Sequence, residues 1–310
     1  MIVNVTNFFE FERYEKFLPD NSSPFFFGEK TTRFFSFFLH PLIPFLLVLM
    51  YWFLSESVIR KLILLFKIKS ESRLLKVVTI IHSSLLAVYS AWTFYNSIML
   101  IIPIMTHGYH QSIAQGFYET LIDEESSVWN NFKVFDPITK KIGDMHLGLG
   151  YWITHFYISK FYEFIDTWIV LFKGKEPSFL QTFHHAGIVI LMWMIVVTRS
   201  TCSGLLIVVL NSFIHTLMYT YYTLAAFGFK SVLKRYLTQA QIIQFLIGIG
   251  YSIPTYWYIN QAQFVSLAFL HLYTIVLISL FYRFYVETYK ERKGEAEANA
   301  IVQSQTKKNR

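Results

Sequence analysis

Two stretches of the sequence place charged and histidine side chains inside apolar runs. The first contains Lys160, Glu163 and Asp166, which are spaced three residues apart and therefore share one face of a helix. The second contains Gln181 followed by the pair His184 and His185, which again share a helix face. Ionisable side chains at membrane depth are costly and usually mark functional positions. The two stretches therefore predict an enclosed polar site between helices rather than a surface that faces lipid.

A third polar cluster lies in a later apolar run. Asn211 and His215 are one helical turn apart and can meet, so the asparagine carbonyl would hold one ring nitrogen and select the histidine tautomer. Tyr219 and Tyr222 follow in the same run. An interfacial aromatic belt explains one or two tyrosines but not the histidine and asparagine beside them. This cluster is therefore a second part of the predicted site.

The other histidines lack a partner pattern in the sequence. A lone histidine in a helix is more often a hydrogen-bonded structural residue than a catalytic one, and we interpret these as structural. They are His40, His82, His107, His110, His146, His155 and His271.

The composition is that of a polytopic membrane protein. Apolar residues make up 54% of the 310 residues and charged residues only 15%, whereas a soluble domain carries roughly 25% charged residues. Several apolar runs approach the ~20 residues that span a bilayer. We predict an all-α fold with seven transmembrane helices, at about 34–54, 77–102, 148–172, 181–198, 203–227, 238–258 and 264–285. The net charge of +7 does not indicate nucleic-acid binding, because the basic residues lie in short connections.

Lysine and arginine are distributed unequally between the two sets of connections. One set, which includes the C-terminal tail, holds 18 of them and the other holds eight. The positive-inside rule then predicts a lumenal N-terminus and a cytosolic C-terminus. The predicted organisation is a lumenal segment at 1–33, a seven-helix domain at 34–285 and a disordered cytosolic tail at 286–310. Lys307 and Lys308 near the end of this tail are similar to the dilysine signal that retrieves membrane proteins to the endoplasmic reticulum.

Four motifs in this order resemble the signatures of the ELO family, the very-long-chain fatty-acid elongases of the endoplasmic reticulum. They are Lys160-x-x-Glu163-x-x-Asp166-Thr167, His184-His185, His215-x-x-Met218-Tyr219-x-Tyr221-Tyr222 and Thr238-x-x-Gln241-x-x-Gln244. The family's usual box is His-x-x-His-His, and this chain has Gln181 at the first position. A minority of family members carry glutamine there, some of them acting on polyunsaturated chains. The departure leaves the substrate preference open.

The resemblance implies a fold and a reaction. Six of seven helices would enclose a narrow acyl tunnel, and the protein would condense a long-chain or polyunsaturated acyl-CoA with malonyl-CoA to a 3-ketoacyl-CoA two carbons longer. His184 would accept the acyl group, while His185 and His215 would stabilise the enolate and move protons. Lys160, Glu163 and Asp166 would hold the site together electrostatically. The residues expected to orient the substrate and the rings are Gln181, Asn211, Tyr219, Tyr222, Gln241 and Gln244.

The resemblance also implies partners. The substrates would be acyl-CoA and malonyl-CoA, and no metal or organic cofactor and no nucleic acid is implied. The protein would lie in a lipid bilayer beside the ketoreductase, dehydratase and enoyl reductase of the elongation cycle, and it could form a homodimer.

Three other classes of membrane protein are weighed against this prediction. A di-iron desaturase or hydroxylase also places histidine boxes in helices, but it needs many clustered ligands, and this chain offers three clustered histidines and a glutamine. A seven-helix receptor of the retinal type needs a lysine in the last span, and 264–282 has none. A transporter would explain buried charges, although no internal repeat is apparent.

Overall fold

Almost every residue described by the computed structural model is helical. The described residues are 36–66, 72–107, 132–136, 141–145, 149–229 and 233–291. The predicted lumenal segment 1–33 and the proposed retrieval signal at Lys307 and Lys308 lie outside these residues.

The first long helix is continuous but changes its winding. It consists of α1 (Leu42–Phe53), a π-helical turn (Leu54–Ile59) and α2 (Arg60–Leu65). Pro41 is the N-cap of α1 and Pro44 lies in its first turn. A proline is tolerated there because the first N–H groups of a helix have no intrahelical partner. The helix continues to Leu65, beyond the end of the predicted span 34–54.

The second helix and a short ribbon follow. Helix α3 (Arg73–His107) has 35 residues. In the long connection after it, β1 (Phe132–Asp136) pairs antiparallel with β2 (Lys141–Met145). The sequence analysis missed this ribbon, because strands of five residues with little apolar alternation give a weak signal.

The predicted third span, 148–172, is interrupted at the charged motif itself. Helix α4 (Leu149–Tyr162) ends one residue before Glu163, and α5 (Phe164–Phe172) begins directly after it. The Asp166 N–H bonds to the Glu163 carbonyl at 3.0 Å, a tight turn in place of the regular α-helical bond. The next helix, α6 (Phe179–Val197), is capped by Ser178, whose hydroxyl accepts from the Gln181 N–H at 3.2 Å.

Three further helices complete the described chain. Helix α7 (Thr201–Phe227) ends at Gly228, whose φ of +102° is a common helix stop. Helix α8 (Leu233–Ser252) runs into a 3₁₀ turn (Ile253–Trp257). Helix α9 (Gln261–Tyr285) begins with a capping box and continues as a π-helical turn to Glu291, so the first residues of the predicted disordered tail are helical.

Five helices in the described ranges are long and apolar enough to cross a membrane. They are Leu42–Leu65, Arg73–Met99, Phe179–Val197, Cys202–Phe227 and Gln261–Tyr289. Two of the seven predicted spans do not meet this criterion. The break at Glu163 divides the third, and α8 is rich in polar and charged residues.

The core lies where α4, α6, α7 and α9 meet. Trp152, Tyr157 and Val189 are fully enclosed there. Helix α7 approaches α4 closely at Gly204, where a Cβ would lie only 2.5 Å from Ile153 Cδ1. The outer faces of α1, α3 and α9 are lined by exposed large apolar side chains, as expected of helices that face lipid.

Candidate active site

A buried ion pair lies at the junction of α4, α5 and α7. The Lys160 ammonium donates to Glu163 Oε1 at 2.6 Å and to Asn211 Oδ1 at 3.2 Å. Both Lys160 and Glu163 are only 1% exposed. His215 Nδ1 lies 3.5 Å from the same Glu163 oxygen. The Asn211 side-chain oxygen, which the sequence predicted as the partner of His215, thus accepts from Lys160 instead. In the structure, the partner of His215 is the Glu163 carboxylate.

Asp166 forms a second network one turn away. His82 Nε2 on α3 lies 2.9 Å from Asp166 Oδ1, and the Tyr219 hydroxyl on α7 donates to Asp166 Oδ2 at 2.6 Å. The Tyr162 hydroxyl lies 3.3 Å from the other ring nitrogen of His82. His82 was interpreted as a structural histidine, and its two hydrogen bonds agree with that, but the sequence did not place it beside the charged motif. A charge imbalance could have indicated it, because a motif with one lysine and two carboxylates needs a further donor.

The adjacent histidines His184 and His185 lie near the start of α6. The Tyr273 hydroxyl, which comes from α9, lies 3.2 Å from His184 Nδ1 and donates to the His184 carbonyl oxygen at 3.0 Å. His185 is buried, and its Nδ1 has no hydrogen-bond partner among the described residues. Tyr273 belongs to none of the four motifs, and no sequence signal pointed to it.

Gln181 contacts the charged motif rather than the histidines that follow it. Its side-chain amide donates to Thr167 Oγ1 at 3.4 Å, and the Tyr51 hydroxyl lies 2.8 Å from the same Thr167 oxygen. This chain of hydrogen bonds connects α6 to α5 and α1. The structure therefore joins Gln181 to Thr167, and its orienting role stays a prediction.

A cavity lies beside these groups. His184, Asn211, Gln244 and Tyr273 are among the residues that line it. Apolar side chains of α6, α7, α8 and α9 make up most of the rest of the lining. From Gln244 to Ser252, both of which line it, α8 rises by about 12 Å. The lining is therefore mostly apolar, and His184 is one of its few polar side chains.

A second polar cluster contributes Ser252 and His271 to the lining of this cavity. His271 Nε2 lies 2.7 Å from Ser252 Oγ, and His271 Nδ1 lies 2.9 Å from the Tyr256 hydroxyl. Both ring nitrogens of His271 thus have partners, in agreement with its interpretation as a structural histidine.

Among the residues in the described ranges, no group of three or more His, Cys, Asp and Glu side chains is arranged to hold a metal ion. The histidines have separate partners instead, because His82 contacts Asp166, His184 contacts Tyr273 and His215 contacts Glu163.

Comparison with known proteins places the chain in a family. Residues 36–297 match the family model described as ELO: GNS1/SUR4 family. The chain belongs to this family. It is 31% identical over 207 residues to the fatty acid elongase sre1 of Dictyostelium discoideum, an alignment that covers 65% of this chain and 70% of that protein.

Mammalian relatives align over a shorter part. The chain is 33% identical over 160 residues to very long chain fatty acid elongase 2 of Mus musculus, covering 50% of this chain and 54% of the relative. It is 36% identical over 157 residues to very long chain fatty acid elongase 4 of Homo sapiens, covering 47% and 50%. The chain thus spans about half the length of these mammalian proteins.

The remaining residues expected to orient substrate in this ELO protein lie at different depths. Gln244 is 8% exposed and lines the cavity, and its Oε1 has no hydrogen-bond partner in the part of the chain described. Gln241 donates to Met218 Sδ at 3.6 Å, away from the histidines. Tyr222 is 43% exposed, and its ring centroid lies 6.0 Å from that of Tyr219. Of these three residues, Gln244 is therefore the one that lines the cavity and has a side-chain oxygen without a partner among the described residues.

The contact of Gln181 gives a testable prediction for the variant box of this ELO protein. Gln181→Ala removes the hydrogen bond to Thr167 and should lower the rate of condensation about 3- to 10-fold, the effect of one hydrogen bond. Gln181→His keeps a donor at that position and should retain most of the activity, with a changed pH dependence or substrate preference.

The matched control is Thr167→Val, alone and combined with Gln181→Ala. If Gln181 acts through Thr167, the double variant should be no slower than the slower single variant. A Gln181→Ala variant as active as the parent at every pH would contradict an orienting role.

Proposed function

We propose that the protein is the condensing enzyme of fatty acid elongation, a very-long-chain 3-oxoacyl-CoA synthase. It would combine a long-chain or polyunsaturated acyl-CoA with malonyl-CoA to give a 3-ketoacyl-CoA two carbons longer, CO₂ and free CoA. Family membership and the relatives named as fatty acid elongases support a role in elongation. The observation that supports the specific reaction is that His184 lines a largely apolar cavity.

In the first half-reaction, an imidazole nitrogen of His184 attacks the thioester carbonyl of the acyl-CoA. The carbon–sulfur bond breaks, CoA leaves as the thiol with the proton that the imidazole loses, and the acyl group stays on the ring. Nucleophilic catalysis of this kind divides one difficult step into two easier ones. The acyl chain would lie in the cavity, where apolar walls exclude water and protect the acyl-imidazole from hydrolysis.

In the second half-reaction, malonyl-CoA loses CO₂ and the resulting enolate attacks the acyl carbonyl. The bond between the acyl group and His184 breaks, and the released ring nitrogen takes up one proton from solvent. His185 and His215 would stabilise the enolate oxygen and move the proton. The contact between His215 and the Glu163 carboxylate supports proton transfer at this residue, because a carboxylate stabilises an imidazolium. Lys160 and Asn211 would hold that carboxylate in place.

The setting we propose follows from the charge distribution and the family. The chain would cross the endoplasmic reticulum membrane seven times with its N-terminus lumenal and its C-terminus cytosolic, and Lys307 and Lys308 would act as a retrieval signal. Its partners would be the ketoreductase, dehydratase and enoyl reductase that process its product, and a second copy of the chain. No cofactor is proposed.

The reaction can be tested with the purified protein in lipid nanodiscs. We expect malonyl-CoA-dependent formation of a 3-ketoacyl-CoA from at least one member of an acyl-CoA panel that varies in length and unsaturation. Chelators should leave the rate unchanged. No two-carbon extension with any member of the panel would contradict the proposal, and oxygen-dependent desaturation or hydroxylation of the chain would favour the di-iron alternative.

A further inference from the structure

We propose that Tyr273 is a positioning residue that holds His184 in the tautomer with its proton on Nδ1, so that Nε2 is the nitrogen that accepts the acyl group. This inference rests on the proposed function of His184 and adds to it a residue outside the four motifs. It comes from two contacts of one hydroxyl group and from the packing that holds the Tyr273 ring.

The hydrogen bonds of the Tyr273 hydroxyl decide the tautomer. This hydroxyl lies 3.0 Å from the His184 carbonyl oxygen and 3.2 Å from His184 Nδ1. A phenol has one proton to donate, and a carbonyl oxygen can only accept. The phenol proton therefore goes to the carbonyl, and the contact with Nδ1 is a hydrogen bond only if Nδ1 carries the proton and donates.

The opposite assignment is unfavourable. If the phenol donated to Nδ1, its oxygen would lie 3.0 Å from the carbonyl oxygen without a proton between the two acceptors. A neutral imidazole has one N–H and one lone pair, so a proton on Nδ1 leaves the lone pair on Nε2. Nε2 is then the nucleophilic nitrogen in the ground state.

Packing holds the Tyr273 ring in this place independently of its hydroxyl. The ring stacks on Phe183, with centroids 5.6 Å apart and an interplanar angle of 24°. It also lies against Gly187, where a Cβ would clash with the ring. Both contacts flank His184 on α6, at one residue before it and three after it. The surface of α6 around His184 is thus shaped to receive this ring from α9.

The Tyr273 phenol is a suitable hydrogen-bond partner for a histidine that acts as a nucleophile. A neutral phenol orients the ring but brings no negative charge, so it does not stabilise the protonated imidazolium, which cannot attack a thioester. His215 has the opposite kind of partner, the Glu163 carboxylate. The two partners thus assign nucleophilic attack to His184 and proton transfer to His215.

The rate of acylation tests the proposal in the full-length protein. Radiolabelled acyl-CoA is mixed with enzyme in nanodiscs without malonyl-CoA, and the label attached to His184 is followed in a single turnover. Tyr273→Phe should slow acylation about 10- to 100-fold, because it leaves His184 Nδ1 without its partner. The equilibrium affinity for the acyl-CoA should be unchanged, which separates positioning from a general loss of structure.

Two further variants act as controls. Gly187→Ala keeps the Tyr273 hydroxyl but displaces the Tyr273 ring, so it should slow acylation to a similar extent. The double variant Gly187→Ala/Tyr273→Phe should be no slower than the slower single variant. Tyr282→Phe removes a hydroxyl from an exposed position of the same helix and should acylate at the parent rate.

The tautomer itself can be read without any substrate. In protein labelled with ¹⁵N-histidine, the His184 signal is assigned by its loss in His184→Asn, and its nitrogen shifts should report a proton on Nδ1. A proton on Nε2, or parent-like acylation by Tyr273→Phe, would overturn the proposal. If the parent protein is never acylated at His184, the proposed function fails, while the nitrogen shifts still decide the role of Tyr273.

Discussion

Replacing His184 with alanine is expected to abolish both condensation and the acylated form of the enzyme. The imidazole is the group that takes the acyl chain in the proposed reaction, and neither Gln244 nor Asn211 beside it at the cavity is a nucleophile of comparable strength. The turnover rate should fall by about 10³-fold or more, as when a catalytic nucleophile is removed from other enzymes. The measurements are malonyl-CoA-dependent product formation and the amount of label retained on the denatured protein.

His215→Ala is the informative comparison for this variant. If His215 works in the malonyl-CoA half of the reaction, this variant should still trap label from the acyl-CoA but should make little 3-ketoacyl product. Retained condensation in His184→Ala would rule out His184 as the acyl acceptor. Loss of trapping in both variants, with the protein still folded, would mean that the two histidines act in the same half-reaction.

Lys160→Met is expected to lower the free energy of unfolding by about 3–5 kcal/mol, the usual effect of removing one partner of a buried ion pair. The methionine fills the volume of the lysine stem but leaves the Glu163 carboxylate without its 2.6 Å donor in a site that excludes water. Asn211 Oδ1 loses a donor as well. The measurement is the unfolding transition of the protein in mixed detergent micelles, followed by circular dichroism.

The double variant Lys160→Met/Glu163→Gln should recover much of this loss, because it removes both charges together. Arg283→Ala is the matched control, since its ion pair with Glu287 has a similar N–O distance of 2.6 Å but 78% and 51% exposed side chains. It should leave the transition unchanged, because exposed ion pairs contribute little. A Lys160→Met protein as stable as the parent would show that Glu163 is not a buried charge.

Sequence patterns predicted the helical fold and the approximate positions of most helices, while the roles of the site residues stay predictions. The i, i+3 spacing of Lys160 and Glu163 correctly predicted that they share a face, and the structure joins them directly. The order of the four motifs indicated the family, which the match over residues 36–297 confirms. These features depend on local spacing or on short motifs, and both can be recognised in the sequence without a structure.

Contacts between distant segments were not predictable in the same way. His82 and Tyr273 come from helices that carry none of the motifs, and only the packing of α3 and α9 against the site brings them in. The helix break at Glu163 also escaped detection, because no glycine or proline marks it. The break coincides with the buried pair of Lys160 and Glu163, a contact that forms only in the folded protein.

Asp166 ties three helices together through one carboxylate, and this has a consequence for how the sequence can change during evolution. His82 on α3 and Tyr219 on α7 occupy different oxygens of that carboxylate, so neither residue contributes its full stabilising effect once the other is lost. Substitutions at these two positions should therefore show epistasis. A replacement at either position would become tolerable once Asp166 has already changed to an uncharged residue, whereas loss of both partners would leave the charged carboxylate without these two hydrogen bonds and cost more than either loss alone.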